Sequence, residues 1–323
     1  MPKISIIIPV YNTGIKIEKC LSSIINQTRK IDIEVLIIND GSTDNSENII
    51  KQYIEKYNEY CLNIKYFSKE NEGIAKTRNF GIEKAISKYI MFLDSDDYLE
   101  TNAFEILEKY IDKNIDLIKF KLERVNEKDE ILEKVSGPVF EVSNGQDAFN
   151  RLYCEDVLLD SPCVYLIRKE LFTKNNFKFE RTYHEDFGLI PFIILSAQTV
   201  ISIPEYLYKY VQAPNSITRT EDYNKTIKKM EDVLFHYDNM LNMVKKLQLE
   251  EITKENIKIY YTNAIILKLN ELNKNSQKLY IRMIKQRKMY KNIKPRDLKQ
   301  LVKRLLLKYN IRLYLKIHNN GRK

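Results

Sequence analysis

The stretch Lys3-Ile-Ser-Ile-Ile-Ile-Pro9, running on into Val10-Tyr-Asn-Thr-Gly14, decides the fold. Its β-rich apolar run is too short for a helix and ends in a turn cluster, so it reads as a buried strand entering a loop. Ile15 to Thr28 then place Ile17, Leu21, Ile24 and Ile25 at helical spacing, and Glu34-Val-Leu-Ile-Ile-Asn39 repeats the buried-strand pattern. A second helix carries Ile49, Ile50, Tyr53 and Ile54, with Ser42 or Thr43 able to cap it. The strand Ile64 to Ser68, the helix Ile74 to Ile86 and the strand Tyr89 to Leu93 continue the alternation. Four strands separated by helices predict an α/β fold with a mostly parallel sheet covered on both faces. Such sheets bind ligands at the carboxyl ends of their strands, where the polar clusters at residues 9–14, 39–44 and 94–97 fall. These three loops are expected to converge on one edge.

Beyond Asn102 the pattern predicts a helix to about Lys113, a strand Leu117 to Leu122, and a polar surface connection from Glu123 to Lys134. Gly137-Pro138 punctuates that region, and helical and strand patterns resume from Gln146 to Tyr210. Tyr223 to Tyr290 reads as two or three long helices, and the last 30 residues as an amphipathic basic helix pair broken near Pro295. At 323 residues, one large core plus an appended smaller region is expected. The division is residues 1–220 as the catalytic α/β domain and 221–323 as a C-terminal helical, basic region.

Composition sets further bounds. Forty-four per cent hydrophobic and 30 per cent charged residues describe a soluble globular chain and exclude a disordered one. The apolar run Ile4 to Val10 is too brief for a signal-peptide core, and no segment approaches the roughly 20 apolar residues that span a bilayer, so a cytoplasmic location is expected. Cys20, Cys61, Cys154 and Cys163 lie far apart without CxxC spacing and read as reduced, buried thiols. The net charge of +9 is unevenly placed. Residues 281–323 hold 15 Lys or Arg against the single acid Asp297, a local +14 that leaves the preceding 280 residues at −5.

Three carboxylates in Leu93-Asp-Ser-Asp-Asp97, at a strand end, repel one another unless something positive binds there. Mg²⁺ and Mn²⁺ prefer carboxylate oxygens and, held by one or two protein ligands, keep positions open for a diphosphate. Asp94 and Asp96 suit that role; the competing reading has these acids capping the helix that begins near Asn102.

Pro9-Val-Tyr-Asn12, Asn39-Asp-Gly-Ser-Thr-Asp44, Asn71-Glu-Gly-Ile-Ala-Lys-Thr-Arg-Asn79 and Asp94-Ser-Asp-Asp97 occur in the order and spacing of family 2 glycosyltransferases, which residues 3–100 resemble densely. The resemblance implies a GT-A fold (nucleotide-diphospho-sugar transferase, Rossmann-like), a nucleotide-sugar donor, Mn²⁺ or Mg²⁺, and inversion at the anomeric carbon. It implies that Asp40 reads the nucleobase edge, that Pro9 and Tyr11 shape the base pocket, and that Arg78 lies near the base or diphosphate. Asp94 is implied on the ribose or metal and Asp96 on the metal. Asn39 departs from the commoner Asp, with little consequence expected because Asp40 is the acid the family uses for the base.

Inversion by single displacement also requires a general base for the acceptor hydroxyl. The family supplies it from an acidic pair about 90 residues after the DxD, where this chain has His184-Glu-Asp186. Asp186 is the expected base, Glu185 its supporting partner, and His184 a candidate acceptor contact; the competing reading is a helix-start pair facing the dipole. Asn215-Ser-Ile-Thr-Arg219 resembles the family's loop over the donor diphosphate, with Ser216, Thr218 and Arg219 as donors to phosphate oxygens. The basic residue the family usually carries a few positions earlier is missing from Val211-Gln-Ala-Pro214.

In the tail, Leu298, Leu301, Val302, Leu305 and Leu306 fall at helical spacing, with Lys299, Lys303, Arg304 and Lys308 between them. Such a cationic amphipathic helix suits an anionic membrane surface, where lipid-linked acceptors reside; packing of the leucines on the protein is the alternative. Nucleic acid is not expected as a partner, since no recognised module accompanies the tail. The reading is therefore an inverting, metal-dependent transferase of a sugar, from UDP-hexose or UDP-N-acetylhexosamine, to a glycan or lipid-linked acceptor of bacterial surface polysaccharide. It would lie in the cytoplasm, peripheral to the inner face of the plasma membrane, with the helices after Tyr223 available for a homodimer. A metal-dependent nucleotidyltransferase and an inactive nucleotide-sugar or glycan-binding module are the alternatives.

Overall fold

The structure is a computed structural model that describes residues 2–57, 63–155, 159–212, 223–295 and 298–320, with the side chains of residues 154, 299 and 316–320 excepted. It divides into two compact units: residues 1–181 with 185–219, and residues 182–184 with 220–323.

The first unit opens on the alternation read from the sequence: β1 (Ile4–Val10), α1 (Lys16–Ile25), β2 (Ile33–Asp40), α2 (Ser46–Tyr57), β3 (Asn63–Lys69), α3 (Ile74–Lys84) and β4 (Tyr89–Phe92). Both faces of β1 and β2 are buried along their whole lengths, which explains why they are continuous apolar runs and not alternating ones. Strands β3, β2, β1 and β4 lie side by side in parallel register. The order reverses at β1, between β2 and β4, which is where open α/β sheets form their ligand crevice. Helix α3 approaches β1 closely through Gly81, whose missing Cβ would stand 2.4 Å from Ile7 Cγ2.

After β4 the expectation of a mostly parallel sheet fails. The chain adds β5 (Tyr98–Leu99), α4 (Ala103–Ile111), β6 (Leu117–Val125), β7 (Ile131–Val135), β8 (Phe140–Ser143), α5 (Gly145–Glu155), a 3₁₀ turn (Pro162–Val164), β9 (Tyr165–Arg168), α6 (Glu170–Asn175), α7 (Ile190–Ser196) and β10 (Val200–Val211). The path of the sheet is β3-β2-β1-β4-β9-β6-β10-β5. Strand β9 runs antiparallel to both β4 and β6, β6 and β10 are parallel, and β5 closes the end antiparallel to β10. Glu123 to Lys134 is not a plain connection: β6 continues to Val125 and pairs antiparallel with β7 in a hairpin turned at Asn126–Glu130. Adjacent charges interrupt the hairpin, Glu123 pairing with Lys134 and Lys209 and Arg124 with Glu133, so this stretch lacks the continuous apolar run of the central strands.

The second unit contains α8 (Tyr223–Lys246), α9 (Glu251–Lys268), α10 (Lys274–Gln286), α11 (Leu298–Tyr309) and α12 (Ile311–Asn320). Its core gathers Met230, Val233, Tyr237, Met240, Ile257, Tyr261, Ile265, Tyr280, Ile284 and Met289. The half-buried Asn292 amide donates to Tyr237 Oη at 2.7 Å and to Thr262 Oγ1 at 2.9 Å. Pro295 precedes the terminal helix pair instead of dividing it; the division falls at Asn310, whose Oδ1 accepts from Leu313 N at 3.1 Å. Among the described residues no helix is long and apolar enough to cross a membrane.

Candidate active site

The three polar loops do converge. Asn12, in a left-handed conformation (φ 50°) after β1, accepts from Thr43 N through Oδ1 at 2.8 Å, and its own N–H donates to Ser42 Oγ. Ser46 Oγ, buried at the first turn of α2, accepts from Thr13 N at 3.0 Å and Gly14 N at 2.8 Å. Thr13 Oγ1 lies 2.7 Å from Ser95 Oγ after β4. Ser42 is thereby committed to the β1 loop, and the side chain that serves the start of α2 is Asp44, accepting from Ser46 N at 3.0 Å. Pro9 is buried in β1 and Tyr11 stands half exposed beside it.

Asn39 uses its amide in both senses, donating to Tyr66 Oη at 3.0 Å and accepting from Ser42 N at 2.9 Å. Its neighbour Asp40 is almost fully buried and holds the segment before α3: Oδ1 accepts from Lys69 Nζ and from Glu72 N, and Oδ2 from Gly73 N at 2.8 Å. Burial pushes this carboxyl up, but the Lys69 ammonium and the two amides outweigh it and leave the pKa below the ordinary value. A carboxylate offers about four acceptor positions, so one on Oδ2 stays open. Gly41 permits this closeness. Its φ is +70° and an added Cβ would meet Asn71 N at 2.8 Å.

The acids after β4 separate into three environments. Asp97 is buried, its Oδ2 accepting from Tyr208 Oη at 2.7 Å and its Oδ1 from Val211 N at 2.8 Å, so it fastens the end of β10 and caps no helix. Burial and its two acidic neighbours push its pKa well up. Asp94 stands between Arg78 Nη2, which donates to Oδ1 at 3.1 Å, and Cys163 Sγ, which donates to Oδ2 at 3.5 Å. Its N–H donates to Tyr208 Oη at 3.2 Å. Asp96 reaches solvent, yet partial desolvation by the surrounding protein, together with the Asp94 charge, raises its pKa. Helix α4 begins at Ala103 after Asn102 without a side-chain cap, so capping does not explain these acids.

Arg78, on α3, is the centre of the site. It is 5% exposed, with Nη1 donating to Glu185 Oε1 at 2.6 Å and Nη2 to Asp94, while its Nε has no hydrogen-bond partner. The guanidinium lies 5.8 Å from the Phe92 ring and 5.6 Å from Phe179. The next residue, Asn79, exchanges two hydrogen bonds with the Phe179 backbone, at 2.8 and 2.9 Å. One turn of α3 therefore holds both Glu185 and the segment that leads towards it. Arg78 thus uses both terminal nitrogens on carboxylates, Nη1 on Glu185 and Nη2 on Asp94.

Glu185 and Asp186 lie in turns ahead of α7, not in its first turn. Burial raises both to about 7 against the pull of Arg78, with Asp186 adding its charge on Glu185 and Asp160 on Asp186. His184 falls in the second unit: burial and the nearby Lys268 and Lys229 lower it to about 4, and its Nε2 has no hydrogen-bond partner. It is a neutral imidazole at physiological pH. Ser216, Thr218 and Arg219 lie outside the described residues. From sequence, Asp97 stands only as the third acid of the cluster, Cys163 as a buried thiol and Tyr208 as a strand residue; only the fold brings Cys163 and Tyr208 to Asp94. Cys20 and Cys163 are free and buried, and burial raises both thiols, which keeps them protonated.

For a divalent ion, the chain offers the two hard carboxylates Asp94 and Asp96; among the described residues no group of three or more His, Cys, Asp or Glu could hold a metal. Two carboxylates whose charges oppose each other fit Mg²⁺ or Mn²⁺, which take most of their coordination from water and phosphate.

The sheet, parallel from β3 to β4 and continued by the antiparallel β9, has the GT-A fold. Residues 5–175 match the model of the family described as Glycosyl transferase family 2. Glycosyltransferase GlyG of Streptococcus pneumoniae serotype 4 is 31% identical over 229 residues, 68% of this chain and 73% of that protein. Minor teichoic acid biosynthesis protein GgaB of Bacillus subtilis is 29% identical over 236 residues, 68% of this chain but 24% of the relative. The solved structure of S. aureus TarS residues 1–349 has the same fold, with a TM-score of 0.72 at 20% identity over 99% of this chain and 91% of that one, and it has also been solved with UDP-GlcNAc. The chain belongs to glycosyltransferase family 2.

Proposed function

We propose that the chain transfers a hexose or N-acetylhexosamine from a UDP-sugar, with inversion, to a hydroxyl of a glycan or lipid-linked acceptor in bacterial surface polysaccharide synthesis. The observation that carries this reading is the line Asp94–Arg78–Glu185, which joins the DxD strand end to the acidic pair in one buried network. The UDP-GlcNAc complex of TarS and the teichoic acid role in the name of GgaB support the donor and acceptor classes.

In this reading Asp40 accepts from the base through its open position, and Pro9 and Tyr11 flank the ring. Asp94 and Asp96 would hold Mn²⁺ or Mg²⁺, which when bound neutralises charge on the diphosphate. The acceptor oxygen attacks the anomeric carbon as the bond to the diphosphate oxygen breaks. Asp186 takes the hydroxyl proton, while Glu185, pinned by Arg78, fixes the segment that carries the base. The diphosphate leaves as the nucleoside diphosphate.

The tail supports a peripheral membrane location on the cytoplasmic side. Leu298, Leu301, Val302, Leu305 and Tyr309 are all 40% or more exposed, forming an exposed apolar stripe along α11 in a segment of local charge +14. Anionic lipid matches both the apolarity and the charge.

A donor screen tests the enzymatic reading: purified chain, Mn²⁺ and a panel of UDP-, dTDP- and GDP-sugars, following nucleoside diphosphate release. Turnover with a UDP-sugar that disappears in Asp96→Ala and in Asp186→Asn is the expected result. No turnover with any donor would leave a binding module in its place.

A further inference from the structure

We propose that a cationic cleft in the helical unit binds the phosphate of an anionic lipid headgroup, an inference that rests on the peripheral-membrane reading. The cleft has a volume of about 260 Å³ and lies where α10 meets the junction of α11 and α12. Lys278 and Lys285 line it from α10, Arg312 from α12, and Tyr309 and Asn310 from the junction. No acidic side chain lines it.

Several cations elsewhere in this unit are held in ion pairs, Lys228 with Asp232, Arg287 with Asp238, Lys294 with Glu255 and Lys268 with Glu271. Among the described residues, Lys278, Lys285 and Arg312 make no ion pair, and all three are exposed. Three cations around one cavity, with no acid among its lining residues, attract an anion. Ile311 and Arg312, the first residues of α12, line the same wall. Arg312 supplies a planar fork suited to two phosphate oxygens, and the lysines supply point charges.

The headgroup is favoured over a soluble phosphate by continuity. Tyr309 both lines the cleft and ends the exposed stripe Leu298, Leu301, Val302, Leu305. Acyl chains would meet the stripe while the attached phosphate enters the cleft, and the Tyr309 ring suits the boundary between them.

The test uses the full chain and sedimentation with vesicles of phosphatidylcholine, with or without phosphatidylglycerol. The wild type is expected to bind only the anionic vesicles. Lys285→Ala combined with Arg312→Ala should weaken that binding by about tenfold or more, and Arg282→Ala combined with Lys291→Ala, the same charge removed outside the cleft, by much less. Equal losses in the two double variants would overturn the site in favour of diffuse charge. Inorganic phosphate should raise the melting temperature of the wild type but not of Lys285→Ala/Arg312→Ala. If phosphate stabilises while both double variants bind vesicles like the wild type, the cleft serves a soluble phosphate and the headgroup assignment falls. A wild type that ignores all vesicles, or a stripe shown by sedimentation to be covered by a second copy, overturns it as well. Hydrolysis of soluble UDP-sugar, measured on each variant, reports folding and keeps failure of the cleft separate from failure of the transferase reading.

Discussion

At the residue scale the site is governed by one buried cation. Arg78 sits among Phe92, Phe179, Asp94 and Glu185, and removing it would leave carboxylates in a desolvated place without compensation. Its pull also opposes the burial that lifts Glu185 and Asp186 to about 7. A base works when deprotonated, so kcat/KM should climb as pH rises through about 7 and then level off. Replacing Arg78 by Met should move that limb upward, since the lowering influence is lost. A pH–rate profile on both proteins checks this, and a flat profile from pH 6 to 8 would remove Asp186 from the role of base. Asn39 shows the limit of reading one residue from a pattern. Its departure from Asp is explained by its amide, which donates to Tyr66 and accepts from Ser42 N at once.

At the element scale the instructive helix is α11. Its apolar positions 298, 301, 302 and 305 have helical periodicity and look like a core-facing stripe, yet these residues are exposed. The helix is anchored by Leu307, 2% exposed, and by Lys303, which donates to Asn263 Oδ1 at 2.8 Å and lies over the Tyr314 ring. Leu307→Ala should cost about 2–5 kcal/mol by the usual loss of a buried leucine. Leu301→Ser with Leu305→Ser should change stability by about 0.5 kcal/mol or less each while weakening vesicle binding. Denaturant melts of the two proteins decide it: a larger loss in the double serine variant would mean that the stripe is packed.

At the scale of the whole molecule, opposing responses to pH fall in different units, the buried histidines in the helical unit and the raised acidic pair in the sheet unit. His184 and His236 are both lowered to about 4, chiefly by burial, against an ordinary value of 6.5. Between those values the unfolded chain takes up protons that these folded histidines refuse, so the pair subtracts stability as pH falls from about 6.5 to 4, whereas Glu185 and Asp186, raised to about 7, add it. The melting temperature of His236→Gln relative to the wild type should therefore be higher near the acid end of that range than at neutral pH; a difference that does not change with pH would remove His236 from this role. The sequence by itself determined the alternation of β1 to β4, the convergence of the three polar loops and the membership of the family. Each of these depends on local periodicity or on short runs such as Asp94-Ser-Asp-Asp97, where the residues that matter are adjacent in the chain. The antiparallel insertion of β9, the clasp of Cys163 and Tyr208 around Asp94, the commitment of Arg78 to Glu185 and the outward face of α11 were decided only by the tertiary structure. Those features join residues from 69 to 114 positions apart, or depend on which face of a helix finds a neighbour, and neither leaves a periodic trace in the chain.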